Sequence, residues 1–206
     1  MQHLRLTLGL LVALLGGGVQ PAWAALPVLR GIGGDFTAMS TLGREIGPAD
    51  LRGQPLLLFF GYTNCSDICP VTLGHLASLT LDQAVKVRVL FVSVDPEYDS
   101  PAHLKAYLAH FDPNYIGISA SRERTDQIVG LFQARYNQVG DRPLSTAYKK
   151  LKIKKLDGDG SQAYLYSHSA SIYLLDKRGR VRATYFSGTP IDEMQRDIET
   201  LNQEEG

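Results

Sequence analysis

Leu56-Leu57-Leu58-Phe59-Phe60-Gly61-Tyr62-Thr63-Asn64-Cys65-Ser66-Asp67-Ile68-Cys69-Pro70 is the stretch whose reading decides the fold. Its first five residues are apolar without a break, as in a strand buried on both faces of a sheet. Pro70 suits the first turn of a helix, where its missing N–H costs nothing. Val71, Leu73, Leu76, Ala77 and Leu79 then follow at helical spacing. Between strand and helix lie the two cysteines of the chain, four residues apart.

Outward from this unit the pattern repeats. Val85 to Val94 reads as a second strand, and Ser100-Pro101 opens a helix with Leu104, Tyr107, Leu108 and Phe111 as its buried stripe. Tyr115 to Ile118 is a short strand, and Thr125 to Tyr136 carries Ile128, Val129, Leu131 and Phe132 at helical spacing. Alternating strands and helices of this kind predict an α/β fold with parallel strands and right-handed crossovers. Upstream, Asp35–Met39 and Arg44–Ile46 form an N-terminal β-hairpin between glycine-rich turns. Downstream the style changes. Lys149–Leu156 and Ala163–Tyr166 read as an inserted hairpin, its lysines guarding an exposed edge. Ser169–Leu175 and Val181–Phe186 are strands joined by the turn Asp176-Lys177-Arg178-Gly179. Ile191 to Leu201 is a closing helix.

Residues 1–24 stand apart. A weakly basic start, an apolar stretch from Leu6 to Val19 and the terminal Ala22-Trp23-Ala24 have the layout of a secretory signal with its cleavage site. The stretch is shorter than the roughly 20 residues a spanning helix needs. The expectation is an exported, periplasmic protein of a single domain over 25–206, with an uncleaved membrane anchor as the alternative. About 180 residues are enough for one sizeable core. With 21 basic and 21 acidic residues the formal charge is +0, which gives no support to nucleic-acid binding or membrane adsorption.

Two cysteines in an oxidising compartment ordinarily form a disulfide. Bridging this pair would close a loop of about five residues, worth only about 2 kcal/mol in the chain-entropy model. That is a weak return for a chain with its own core, so function is the better reading. Pro70 disfavours helical geometry in the residue before it, which places Cys69 at or just outside the helix start. The N–H groups there favour an anion, so a thiolate with a lowered pKa is expected. Thiolates select Cu(I) or Zn, and two alone under-coordinate either metal. A metal site therefore needs a histidine. His75, His103 and His110 fall on amphipathic helices among polar neighbours, where a surface histidine is ordinary. His168 precedes the apolar strand Ala170–Leu175, which leaves it free to face the Cys loop across the sheet edge.

Phe60–Pro70 also resembles the Cys-x-x-x-Cys-Pro motif of the SCO/SenC family. Val94-Asp95-Pro96-Glu97-Tyr98-Asp99-Ser100-Pro101 is similar to that family's Asp-Pro segment. Ser167-His168-Ser169, with Ile172-Tyr173-Leu174 and Asp176–Gly179, resembles its histidine and the hairpin that follows. The three motifs occur in the family's order and the resemblance covers roughly 30–202. It implies a thioredoxin-like fold with a central mixed sheet flanked by helices. It further implies a copper site, Cu(I) with Cu(II) as the second state, held by Cys65, Cys69 and His168. The implied role is delivery of copper to the CuA centre in subunit II of cytochrome c oxidase, with other periplasmic copper chaperones as further partners. Two departures stand out. Ser66 follows the first cysteine where many members have Pro, and the segment from Val139 to Leu165 is longer than a minimal member's.

The competing reading is a thiol–disulfide oxidoreductase that uses Cys65 and Cys69 as a redox pair on a partner's cysteines, without copper. Against it, typical thioredoxins space their cysteines one residue closer and place a cis-Pro opposite the pair, where this chain has His168. A peroxiredoxin-like peroxidase lacks its Thr-x-x-Cys pattern, since Thr63 is two residues before Cys65. Structural zinc is usually four-coordinate and fits three ligands poorly.

Overall fold

The computed structural model describes residues 25–81, 85–139, 165–168 and 171–204. Residues 1–24, where a leader is expected, the Lys149–Lys155 run and most of the expected inserted hairpin lie outside the described residues. In chain order the elements are β1 (Ala38–Ser40), β2 (Glu45–Ile46), a 3-10 turn (Pro48–Leu51), β3 (Leu56–Gly61) and α1 (Ile68–Thr80). They continue with β4 (Arg88–Ser93), α2 (Pro101–Leu108), β5 (Ile116–Ser119), α3 (Arg122–Leu131), β6 (Tyr136–Val139) and β7 (Leu165–His168). The chain closes with β8 (Ser171–Leu175), β9 (Val181–Phe186) and α4 (Ile191–Gln203).

Among the described residues seven strands form one mixed sheet in the order β2-β1-β5-β4-β3-β8-β9. The strands β3, β4 and β5 run parallel, and β1, β8 and β9 are added antiparallel. Every residue of β3 is buried, as its unbroken apolar run requires. Phe60 meets Phe132 and Tyr173 edge-on at 5.6 and 5.9 Å, and Phe59 meets Phe91 at 5.9 Å. The two neighbours on the strand thus face opposite sides of the sheet. The Asp35–Ile46 hairpin is present but is no separate module, because β1 pairs with β5 and extends the sheet.

One expectation fails in detail. The third helix spans Arg122–Leu131 rather than Thr125–Tyr136. It stops because Gln133 takes a left-handed φ of 51°, which turns the chain while Phe132 stays fully buried. Tyr136 therefore lies in β6. Leu165–His168 pairs with Tyr136–Val139; its expected pairing with Lys149–Leu156 falls on residues outside the described ones.

Candidate metal centre

Parallel strands bring their C-terminal ends to one edge, and the loop after β3 opens there. A tight turn follows β3, in which the Cys65 N–H donates to the Tyr62 carbonyl at 3.2 Å. Helix α1 then begins at Ile68, so Cys69 sits in its first turn, at the helix start rather than just outside it. Pro70 is the third helical residue, where its missing N–H costs no intrahelical hydrogen bond. The N-cap residue Asp67 makes no side-chain cap. Instead the Cys69 N–H donates to the Cys65 sulfur at 3.4 Å. The two sulfurs are thiols, not a disulfide, and Cys69 is fully buried while Cys65 is 8% exposed.

The expected lowering of the thiol pKa is reversed at Cys69. Its hydrogen bond with the Cys65 thiol, followed by burial, pushes it well above the usual range. The helix N-terminus is outweighed by a second sulfur and a desolvated setting. The Cys69 thiol therefore holds its proton.

A buried carboxylate fixes the loop from behind. Asp99 is fully buried and accepts from the Ser93 hydroxyl at 2.6 Å, from the Thr63 N–H at 3.1 Å, and from the Thr63 hydroxyl. Burial raises its pKa, and the same hydrogen bonds oppose the rise. His103 joins from α2, its Nε2 lying 3.0 Å from the Thr63 hydroxyl. His103 is exposed, as its surface reading expects, and only the tertiary fold brings it within two residues of Cys65. Asp99→Ala leaves three donors without their acceptor and should cost about 2 kcal/mol. Hydrogen exchange checks it: the Thr63 amide, protected in the wild type, should exchange freely in the variant, and unchanged protection would contradict the assignment.

His168 ends β7 and is the register partner of Tyr136. Tyr136 is tied down in turn: its hydroxyl receives Arg122 Nη1 at 3.0 Å and donates to Asp126. Because β8 runs antiparallel to β3, with Ile172 opposite Phe59, Ser171 starts β8 at the same edge where the Cys loop opens. The backbone of His168 lies three residues before that start. Its side chain is outside the described residues. Among the described residues no three His, Cys, Asp or Glu side chains are grouped to hold a metal ion. The reduced pair is a soft donor set of two and fits Cu(I) only with a third ligand. Also among the described residues, no helix is long and apolar enough to cross a membrane.

A family model, SCO1/SenC, matches residues 28–203. The copper-bound structure of ScoI from Bradyrhizobium japonicum is 32% identical, with a TM-score of 0.65 over 82% of this chain and 98% of that one. BsSco, a member of the Sco family of cytochrome c oxidase assembly proteins with an identified disulfide switch, is 24% identical. It shares the fold at a TM-score of 0.60, over 86% of this chain and 98% of that one. An SCO2-like protein of Rickettsia conorii is 28% identical over 80% of this chain and 74% of its own length. The mixed sheet with its helices is thus the thioredoxin-like fold of these proteins.

Proposed function

The chain belongs to the SCO1/SenC family, and from that premise we propose that it carries copper on Cys65, Cys69 and His168 and delivers it to cytochrome c oxidase. The observation that supports this best is the reduced pair: two thiols joined by an N–H···S contact at the sheet edge where β8 also starts. The copper in ScoI, a 32% identical relative, supports it from outside. Copper is the cargo. Loading displaces the two thiol protons, that of Cys69 against its raised pKa. Cys69 is the enclosed sulfur and Cys65 the one partly open to solvent, so ligand exchange with a partner begins at Cys65. The recipient is the CuA centre of oxidase subunit II, reached in the periplasm after export on residues 1–24.

Oxidation to a disulfide would remove both charged donors and so release copper, which makes loading dependent on reduction. The second reading, disulfide exchange without copper, draws on the same reduced pair. His168→Ala separates the two. We expect the variant to keep its fold and lose copper retention at least tenfold, read by competition with a chromogenic Cu(I) chelator. Full copper stoichiometry in the variant would sink the His168 assignment. Retained insulin reduction with no copper in the wild type would favour the second reading.

A further inference from the structure

Among the described residues β6 and β7 form a two-stranded sheet of their own, outside the seven-stranded one. No strand ladder therefore fixes this ribbon, whose last residue is His168, against the Cys loop. Side chains must do so, and Arg122 reaches the residue that opens the ribbon, Tyr136. Arg122 stands at the first position of α3, where the helix dipole disfavours a cation, so its presence there calls for a reason. Its Nη1 donates to the Val94 carbonyl at 2.8 Å and to the Tyr136 hydroxyl at 3.0 Å. Its Nε donates to the Glu97 carboxylate at 3.0 Å, and Nη2 donates to the same group. The guanidinium carbon also lies 5.5 Å from the centre of the Tyr136 ring.

The Glu97 side chain is 60% exposed, so the ion pair itself adds little stability. What the arrangement fixes is position. The Val94 N–H donates to the Gly61 carbonyl at 2.9 Å, at the end of β3 where the Cys loop begins. One guanidinium thus joins the strand end that leads into the cysteines to the residue paired in register with His168. Glu97 belongs to the Asp95-Pro96-Glu97 segment, which thereby gains a use beyond the Asp99 anchor.

We propose that Arg122 is a positioning residue for the metal site: with Glu97 and Tyr136 it holds the β6–β7 ribbon, and His168 with it, beside the Cys loop. The inference rests on reading His168 as a metal ligand, and it gives Arg122 no contact with the metal.

Arg122→Gln removes the charge and most of the donor fork, and it also removes the conflict with the helix dipole, so α3 itself is not the casualty. Tyr136→Phe keeps the ring and removes only the hydroxyl. Each is made alone and with His168→Ala, as the reduced full chain, and Cu(I) alone is the probe, read by chelator competition. In metal-free Arg122→Gln, the β6–β7 amides should exchange at least about tenfold faster while the β3 and β4 amides keep their wild-type protection. Cu(I) affinity should fall about tenfold with His168 in place and less than about twofold with His168→Ala, since a residue acting through His168 then has nothing left to position. Tyr136→Phe should move both readouts the same way and less far. Wild-type exchange in the ribbon, or an equal loss of affinity with and without His168, would overturn the proposal. A His168→Ala protein with wild-type affinity would instead end the ligand reading, and the exchange comparison would still decide whether Arg122 holds the ribbon.

Discussion

Cys69→Ser should bind Cu(I) at least about a hundredfold more weakly than the wild type, while its reduced, metal-free form melts within a few degrees of it. The first half follows from ligand chemistry, since a hydroxyl is a hard donor where Cu(I) takes soft sulfur. The second follows from packing. The Cys69 side chain fills the space at Gly61 and is fully buried, and a serine hydroxyl is smaller there and has the Cys65 thiol and the Tyr62 backbone beside it. The Cys69 N–H keeps its acceptor, the Cys65 sulfur. Chelator competition and a thermal melt of the same preparation check both halves. A variant that binds copper as the wild type does would remove Cys69 from the ligand set.

Arg182→Ala should be the most destabilising change away from the site, by about 3 kcal/mol, the lower end of what removing one partner of a buried ion pair costs, since Asp176 keeps Arg180 at 2.7 Å. Arg182 is only 4% exposed and its guanidinium reaches three groups: Asp176 at 3.1 Å, Glu204 at 2.7 Å and the Leu26 carbonyl at 2.9 Å. It thereby ties the β8–β9 turn, the end of α4 and the N-terminal segment into one unit. At Asp176 burial works to raise the pKa, but hydrogen bonds from Arg180, Arg182 and the backbone outweigh it and hold the carboxyl below its ordinary value. At Glu204 the hydrogen bond from Arg182 lowers the pKa. A carboxylate lowered on folding contributes stability above its unfolded pKa and loses it as pH falls through the folded one. The gap between wild type and variant should therefore be full at pH 7 and shrink below about pH 4. At about 2–4 °C per kcal/mol, the melting temperature should drop by roughly 6–12 °C at neutral pH. A gap that does not change with pH would show that packing, not charge, sets the cost.

Local pattern exposed β3, α1 and the order of strands and helices, because an unbroken apolar run has few places to go but the middle of a sheet. It also exposed the turn at Gly179, whose φ of 85° suits glycine. What it hid depended on distant partners. Helical spacing runs on through Phe132, and no Gly or Pro lies between Phe132 and Tyr136 to stop it, so the pattern predicts Tyr136 in a helix; the stop is made by Gln133. Nothing local marks Arg182 as buried, since its partners lie six residues before it and 22 after. The direction of the Cys69 pKa is hidden for a related reason: the helix start is visible in the sequence, whereas the close approach of the Cys65 sulfur and the burial that outweigh it are not. Asp99 and His103 meet Thr63 only because β4 and α2 fold back onto the Cys loop.

Metal content of the wild-type protein, purified reduced from the periplasm, tests the copper reading most directly. One copper per chain is the expected result. A protein that emerges with no copper, or with zinc in its place, would contradict it.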